Sequence, residues 1–396
     1  MIINGFYDPI WAPIAAAFAK NFDAMGEQGA SLALYHRGKP VVHIWAGLYD
    51  NRLNGISSAQ WQANTPVNIF SAGKGLIALC VLQLVSAGKI DLDAPIAIFW
   101  PEFAQAGKSH VTVRQVLCHR SGLSAFNERI ADAQIFNWDS MIHSVEVAEC
   151  WWPTDSAQGY SPFLYGWVLA ELVRRVSGCS CFNDYFQQHV AIPLAVDCYF
   201  GVPDERLGEI ADVAPIKRLI PSVSSDADIA TLGKLMKADP RGVTNRAFSN
   251  PSTLMTSTNS LSWRKAQIPA ANAHCDAKAL AAIYGDLASA HPQLLPSSHV
   301  DLCWQEQSAN YDQVLGLPLR FSHGFLLSQE DRPDCCFGRG QRAFGHTGAG
   351  GCVGFADPDF ELGFGYTTNR MGPSLLIDER AVHLIDAIYT DRKSVV

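Results

Sequence analysis

No apolar run in this chain reaches the roughly 20 residues that a membrane-spanning helix needs; charges or prolines interrupt each one well short of it. The stretch ahead of Lys20 carries no basic residue, so the charged start of a secretory leader is missing as well. Positive charge is in deficit. The chain has 30 Lys and Arg against 38 Asp and Glu, and its formal net charge of −8 speaks against nucleic acid and anionic membranes as partners. Cysteine occurs 11 times, an odd number without a pairing framework, which points to reduced thiols and a cytoplasmic location. Neither Cys179 with Cys181 nor Cys335 with Cys336 has a His or a further Cys at zinc-ligand spacing, so no metal is expected. Gly107-Lys108-Ser109 matches the end of a phosphate loop, but Glu102 stands where the first glycine belongs. No Gly-x-Gly-x-x-Gly follows a strand pattern, and no repeat or low-complexity tract is visible. The expectation is a soluble protein with no cofactor.

What is present begins with the means to build a large core. Of the 396 residues, 48% are hydrophobic and 17% charged, enough to bury a sizeable interior or two lobes. Ile14, Ala15, Phe18 and Phe22 recur at helical spacing near the N-terminus. Ser31 to Tyr35 and Pro40 to Trp45 read as strands around the turn Arg37-Gly38-Lys39. From Gly73 to Val85 nearly every position is apolar, which marks a helix buried on all sides and ended by Gly88. Phe163 to Val176 reads as a second helix, stopped by Gly178. Strands return at Cys352 to Ala356 and at the alternating Leu362, Phe364 and Tyr366. A last helix presents Ile377, Ala381, Leu384, Ile385 and Ile388 on one face. This order predicts an α/β (α+β) fold. Residues 1–69 and 313–396 form an antiparallel sheet flanked by helices, and a mainly helical region, 70–312, is inserted into it. A cleft between the two parts is a natural place for a ligand.

The general serine-hydrolase signature Gly-x-Ser-x-Gly does not occur. Ser-x-x-Lys occurs three times, beginning at Ser71, Ser86 and Ser262. That spacing carries chemistry when the serine opens a helix. The hydroxyl then meets the positive end of the dipole, and the lysine lies on the same face. Burial lowers the lysine pKa, so that a neutral amine can take the hydroxyl proton. Ser71-Ala72-Gly73-Lys74 meets these conditions, because it follows the extended Val67-Asn68-Ile69-Phe70 and opens the buried helix. Ser86 stands at the exit of that helix, where Gly88 breaks the turn that would return Lys89. Ser262 lies in a polar stretch with no buried helix behind it. Two further pieces complete a constellation. Gly159-Tyr160-Ser161 sets a tyrosine at a loop-to-helix junction, and the glycine-rich Gly345 to Gly351 leads into a strand where backbone can approach a substrate.

Ser71-x-x-Lys74, Tyr160-Ser161 and His346-Thr347-Gly348 follow one another as in the serine β-lactamase-like superfamily, which this chain resembles. That group includes class C β-lactamases, D,D-peptidases and family VIII carboxylesterases. The likeness extends to Thr112 to Leu117, Ser121-Gly122-Leu123, Val173 to Gly178 and Gly345 to Asn369, and so to most of the chain. It implies the β-lactamase/penicillin-binding-protein fold, with Ser71 as acylated nucleophile, Lys74 as its base and Tyr160 as second proton carrier. It also implies an oxyanion hole made by the backbone N–H groups of Ser71 and Ala349. His346, Thr347 and Gly348 would bind substrate, joined by Phe126 from the aromatic set Phe126, Trp151, Trp152 and Tyr165.

Two departures from the β-lactamase pattern shape the expected activity. His346 replaces the lysine of Lys-Thr-Gly, and an imidazole with a pKa of about 6.5 is mostly neutral at pH 7, so the attraction for a substrate carboxylate weakens. Tyr-x-Asn becomes Tyr160-Ser161-Pro162, which removes an amide donor. Both changes resemble family VIII carboxylesterases. The expected reaction is hydrolysis of small or short-chain carboxylic esters through an acyl-enzyme, and the expected partner is that small-molecule ester. The alternatives are a β-lactamase or D-amino-acid peptidase and, in another class, a catalytically idle scaffold or filament-forming subunit.

Overall fold

The computed structural model describes residues 2–215 and 226–390. Its strands, in chain order, are β1 (Asn4–Tyr7), β2 (Gly29–His36), β3 (Lys39–Asn51), β4 (Ile56–Gln60), β5 (Val67–Asn68), β6 (Cys198–Phe200) and β7 (Ala273–Cys275). They continue with β8 (Ser308–Asp312), β9 (Leu317–Phe321), β10 (Leu326–Leu327), β11 (Phe344–Thr347), β12 (Val353–Asp357) and β13 (Leu362–Thr368). The main sheet has 10 strands in the order β1-β3-β2-β13-β12-β11-β10-β9-β8, with β4 added on β3. Neighbouring strands are antiparallel, and strands from the two ends of the chain meet where β2 pairs with β13. The sheet also takes in β8 and is covered by the helix Ala277–Leu287, both from within the 70–312 segment.

The alternation read in the sequence decides how the sheet is covered. Leu32, Leu34, Leu362, Phe364 and Tyr366 share one core with Ile14 and Phe18 of the helix Ala12–Ala24 and with Leu384 and Ile388 of the helix Glu379–Tyr389. Each such side chain contributes about 1.5 to 3 kcal/mol of hydrophobic stabilisation. The opposite face is made of small residues. Ala33 packs there with Ala277 and Ala281, and a Cβ on Gly363 would come within 2.1 Å of the Gly285 nitrogen. The helix therefore lies almost on the strand backbone. Between β2 and β3, Arg37 and Gly38 both take positive φ, 52° and 71°, the backbone of a tight turn whose twist suits a hairpin.

The second core surrounds the helix Gly73–Ser86, which is buried on every side from Gly73 to Leu82 as its apolar sequence requires. It packs against the helix Leu164–Ser177, which ends where Gly178 adopts a φ of 77° and donates its N–H to the Arg174 carbonyl. A small sheet, β5-β7-β6, anchors the chain just before the first of these helices, with Val67 opposite Cys275 and Asn68 opposite His274. The 11 cysteines are free thiols. Among the described residues, no helix is long and apolar enough to cross a membrane, and no cluster of His, Cys, Asp or Glu could hold a metal ion.

Candidate active site

The extended β5 becomes a helix through one tight turn, Phe70–Ala72, and Ser71 sits in that turn rather than in the α-helix that begins at Gly73. Phe70 is held at a φ of 48°, an unfavourable conformation for a bulky residue, and its N–H donates to Asn68 Oδ1 at 3.2 Å. The turn brings Ser71 to the wall of a cavity of about 290 Å³. From the other side comes the segment after β11. A Cβ on Gly348 would fall 2.1 Å from the Ile69 carbonyl oxygen, so glycine is what lets this backbone lie beside the serine turn.

Lys74 is fully buried, and its Nζ lies 2.9 Å from Ser71 Oγ, 2.8 Å from the Pro162 carbonyl and 3.0 Å from the Ala270 carbonyl. No carboxylate pairs with it among the described residues, and burial alone holds its pKa well below the ordinary lysine value. A neutral amine has two N–H bonds and one lone pair. The two carbonyls can only accept, so they take both N–H bonds. In that neutral form the lone pair is what remains for the serine hydroxyl.

Tyr160 completes the group. Lys74 Nζ stands 4.9 Å from the centre of its ring, and the phenol also interacts with Ser71. Burial raises the Tyr160 pKa, against the smaller opposite pull of Ser71, so the group remains a protonated phenol at neutral pH. Its backbone is clamped by two buried acceptors. Tyr160 N–H donates to Asp312 Oδ2 at 2.7 Å, and Ser161 N–H donates to His119 Nδ1 at 3.2 Å. Asp312 Oδ1 accepts from Val314 and Leu315 as well, at 3.0 and 2.9 Å, while burial pushes its carboxyl up to about 6. Asp312→Ala leaves these three amide donors without an acceptor, each costing about 1 to 3 kcal/mol if it stays dry. We expect the urea midpoint to fall and kcat to fall with it, and Asp312→Asn, which keeps one acceptor oxygen, to lose less of both. Equal activity in wild type and Asp312→Ala would show that the clamp does not position Tyr160.

His346 lies across the cavity, with its ring centre 6.3 Å from that of Tyr160. Its Nδ1 is 2.9 Å from the Thr347 carbonyl, which accepts only, so Nδ1 carries the proton and Nε2 is left as a lone pair. Burial pulls its pKa down to about 3. The ring is therefore neutral throughout the physiological range, more firmly than its unperturbed value of about 6.5 implies.

Of the residues expected to bind substrate, His346 and Thr347 line the cavity, together with Ser71, Tyr160 and Ala349, the expected second oxyanion donor. Gly348 and Phe126 do not. Gly348 faces the Ile69 backbone, and Phe126 is buried with its ring 5.9 Å from that of Trp167. Trp151, Trp152 and Tyr165 are not in the lining either; the aromatic walls are Phe70, Phe163, Phe248 and Trp263. Leu232, Met236, Leu315 and Leu375 supply further apolar surface, and no Lys, Arg, Asp or Glu lines the cavity among the described residues.

The other Ser-x-x-Lys matches have ordinary structural roles. Ser86 Oγ donates to the Gln83 carbonyl at the helix end, and Lys265 is half-exposed in an ion pair with Asp204. Sequence reasoning missed Trp263 although it lies within the third match. It also missed His119 and Asp312, whose roles come from strands and loops distant in the chain.

Residues 17–387 match the Beta-lactamase family. The chain is 30% identical over 389 residues to the "Esterase/beta-lactamase LipL" of Mycobacterium tuberculosis, an alignment covering 96% of this chain and 86% of that protein. Its fold superposes on a family VIII carboxylesterase with a TM-score of 0.86 at 31% identity, covering 98% of this chain and 99% of that one. A penicillin-binding protein homologue from Caulobacter crescentus gives 0.85 at 30% identity with the same coverage. The chain belongs to the Beta-lactamase family.

Proposed function

We propose that the protein hydrolyses uncharged carboxylic esters through an acyl-enzyme on Ser71. The observation that carries this reading is the placement of Lys74 Nζ, 2.9 Å from Ser71 Oγ with two carbonyl acceptors at 2.8 and 3.0 Å, so that in a neutral amine the lone pair is left for the serine. The Ser71 hydroxyl gives its proton to Nζ as Oγ bonds to the ester carbonyl carbon. The carbonyl oxygen gains the negative charge and is met by the N–H groups of Ser71 and Ala349. Collapse breaks the bond to the alcohol oxygen, which takes a proton from the Tyr160 phenol; Lys74 passes the serine proton on to the phenolate. Water then repeats the sequence on the acyl-enzyme, releasing the acid and restoring the Ser71 hydroxyl. The opposed shifts of the two groups suit these roles, since a lysine held neutral is a base and a phenol held protonated is an acid.

Substrate charge is the other support. The cavity is apolar and His346 is neutral, so among the described residues nothing in the lining offers a fixed cation to a carboxylate. A charge contact about 4 Å long is worth roughly 1 to 4 kcal/mol, and a penicillin or peptide would forgo it here. The name of the mycobacterial relative joins both activities, which keeps slow lactam hydrolysis as the second reading. A panel of nitrophenyl esters run beside nitrocefin tests the first. We expect kcat/KM for acetyl and butyryl esters to exceed that for nitrocefin by at least about fivefold, the lower end of that missing contact. Nitrocefin turned over as efficiently as the esters would overturn it.

A further inference from the structure

A buried ion cluster lies behind the segment that carries Ala349. Arg380, Glu27 and Asp378 are all buried. Arg380 donates from Nε to Asp378 Oδ1 at 2.7 Å and from Nη1 to Glu27 Oε2 at 3.0 Å. Glu27 also accepts from Thr368 Oγ1 at 2.6 Å and from the Tyr366 hydroxyl. Burying two carboxylates around one guanidinium is expensive, and apolar side chains of similar volume would hold a core as well. The remaining guanidinium nitrogen shows a use for the charge. Nη2 donates to the Gly350 carbonyl at 2.8 Å and to the Arg370 carbonyl at 3.1 Å.

The Gly350 carbonyl belongs to the peptide that joins Gly350 to Gly351, and the Gly351 N–H of that peptide donates to the Gly348 carbonyl at 3.1 Å. The Gly348 carbonyl shares one rigid plane with the Ala349 N–H. A continuous path therefore runs from the guanidinium through two peptide units to the proposed oxyanion donor. Positive φ values of 88° at Gly350 and 128° at Gly351 fold the chain back to close it. Among the described residues, nothing accepts a hydrogen bond from the Ala349 N–H.

We propose that Arg380 is a positioning residue for the Ala349 N–H, setting both the direction and the strength of that donor through the Gly350–Gly351 peptide. The proposal rests on reading Ala349 as an oxyanion donor. Planarity transmits direction. Strength follows because a positive charge at the head of a hydrogen-bonded chain polarises each peptide in turn. The final N–H then carries more positive charge where the oxyanion forms.

Arg380→Lys keeps the charge and loses the forked geometry. We expect kcat for a nitrophenyl ester to fall about 10-fold, less than the 100-fold or more typical of deleting a donor outright. KM should stay within about twofold, because the ground-state carbonyl asks less of the donor than the oxyanion does. A fluorophosphonate should label Ser71 more slowly by a similar factor. Glu27→Gln with Arg380→Gln removes one charge of each sign together, and we expect it to lose kcat about 100-fold. If the lysine variant fails to fold, this pair carries the test. Either variant, folded by circular dichroism and within about twofold of wild-type kcat, overturns the proposal, as does a loss confined to KM. If fluorophosphonate leaves Ser71 of the wild type unlabelled, it is the acyl-enzyme reading that fails instead.

Discussion

Ser71→Ala is expected to lower kcat by roughly 10⁵-fold or more, the scale seen when a nucleophile that works as part of a unit is removed. The fold should survive. Lys74 keeps its bonds to the Pro162 and Ala270 carbonyls, and loss of one partly exposed hydroxyl changes stability by no more than about 1 kcal/mol. A fluorophosphonate adduct on the wild type should map to the peptide containing Ser71, with none on Ser86 or Ser262. Label on either of those, with Ser71 unmodified, would sink the assignment. An intact Ser71 that takes no label, in a folded protein without turnover, would favour the idle scaffold.

The second large effect concerns Lys74 and has two signs. Lys74→Met removes the base, and kcat should drop by about 10²- to 10⁴-fold. The same variant should resist heat better at pH 7. Folding weakens the hold of Lys74 on its proton, because burial keeps its pKa well below the unfolded value. Between the folded pKa and the unfolded pKa of about 10.4 the unfolded chain binds a proton that the folded chain does not, which favours unfolding. That penalty shrinks by about 1.4 kcal/mol per pH unit as pH rises from the folded to the unfolded pKa, and vanishes above both. Methionine has no such penalty, although the Pro162 and Ala270 carbonyls lose their donor and offset part of the gain. Melting curves at pH 7 and pH 10 check the sign. The advantage of the variant should be larger at pH 7, and an advantage that grows toward pH 10 would contradict the linkage. The kcat/KM profile of the wild type should likewise rise with pH through a lysine limb far below 10.5.

Local periodicity was enough to locate the helices Ala12–Ala24, Gly73–Ser86, Leu164–Ser177 and Glu379–Tyr389 and the strands β2, β3, β12 and β13, but not β1 or the helix Ala277–Leu287. The helix Gly73–Ser86 is apolar on all sides because it is buried on all sides, and the alternation of β13 is the alternation of its two packed faces. Such signals depend on neighbours a few residues apart, and the chain carries them wherever it folds. The serine turn was legible for the same reason, since Lys74 returns to Ser71 within a single turn of helix. The strands β8, β9 and β10 were not. Tyr311 is exposed at the sheet edge and β10 has only two residues, so neither shows a period.

The sequence by itself determined the buried helices, the strands β2, β3, β12 and β13, the turn that bears Ser71 and the lysine beside it. Only the tertiary structure decided what surrounds them. His346 is neutral because burial from all directions denies it a charge, which no window of neighbouring residues reveals. Asp312 reaches Tyr160 across 152 positions of chain, and Arg380 reaches Gly350 across 30. On a helix face Arg380 reads as a solvated charge. It is buried because Glu27, from the far end of the chain, and Asp378 enclose it, and such pairings exist only after the two ends of the sheet have come together. Electrostatic environment is a property of the packed whole, and so the chemistry of this site was written in the sequence as residue types but set in strength by the fold.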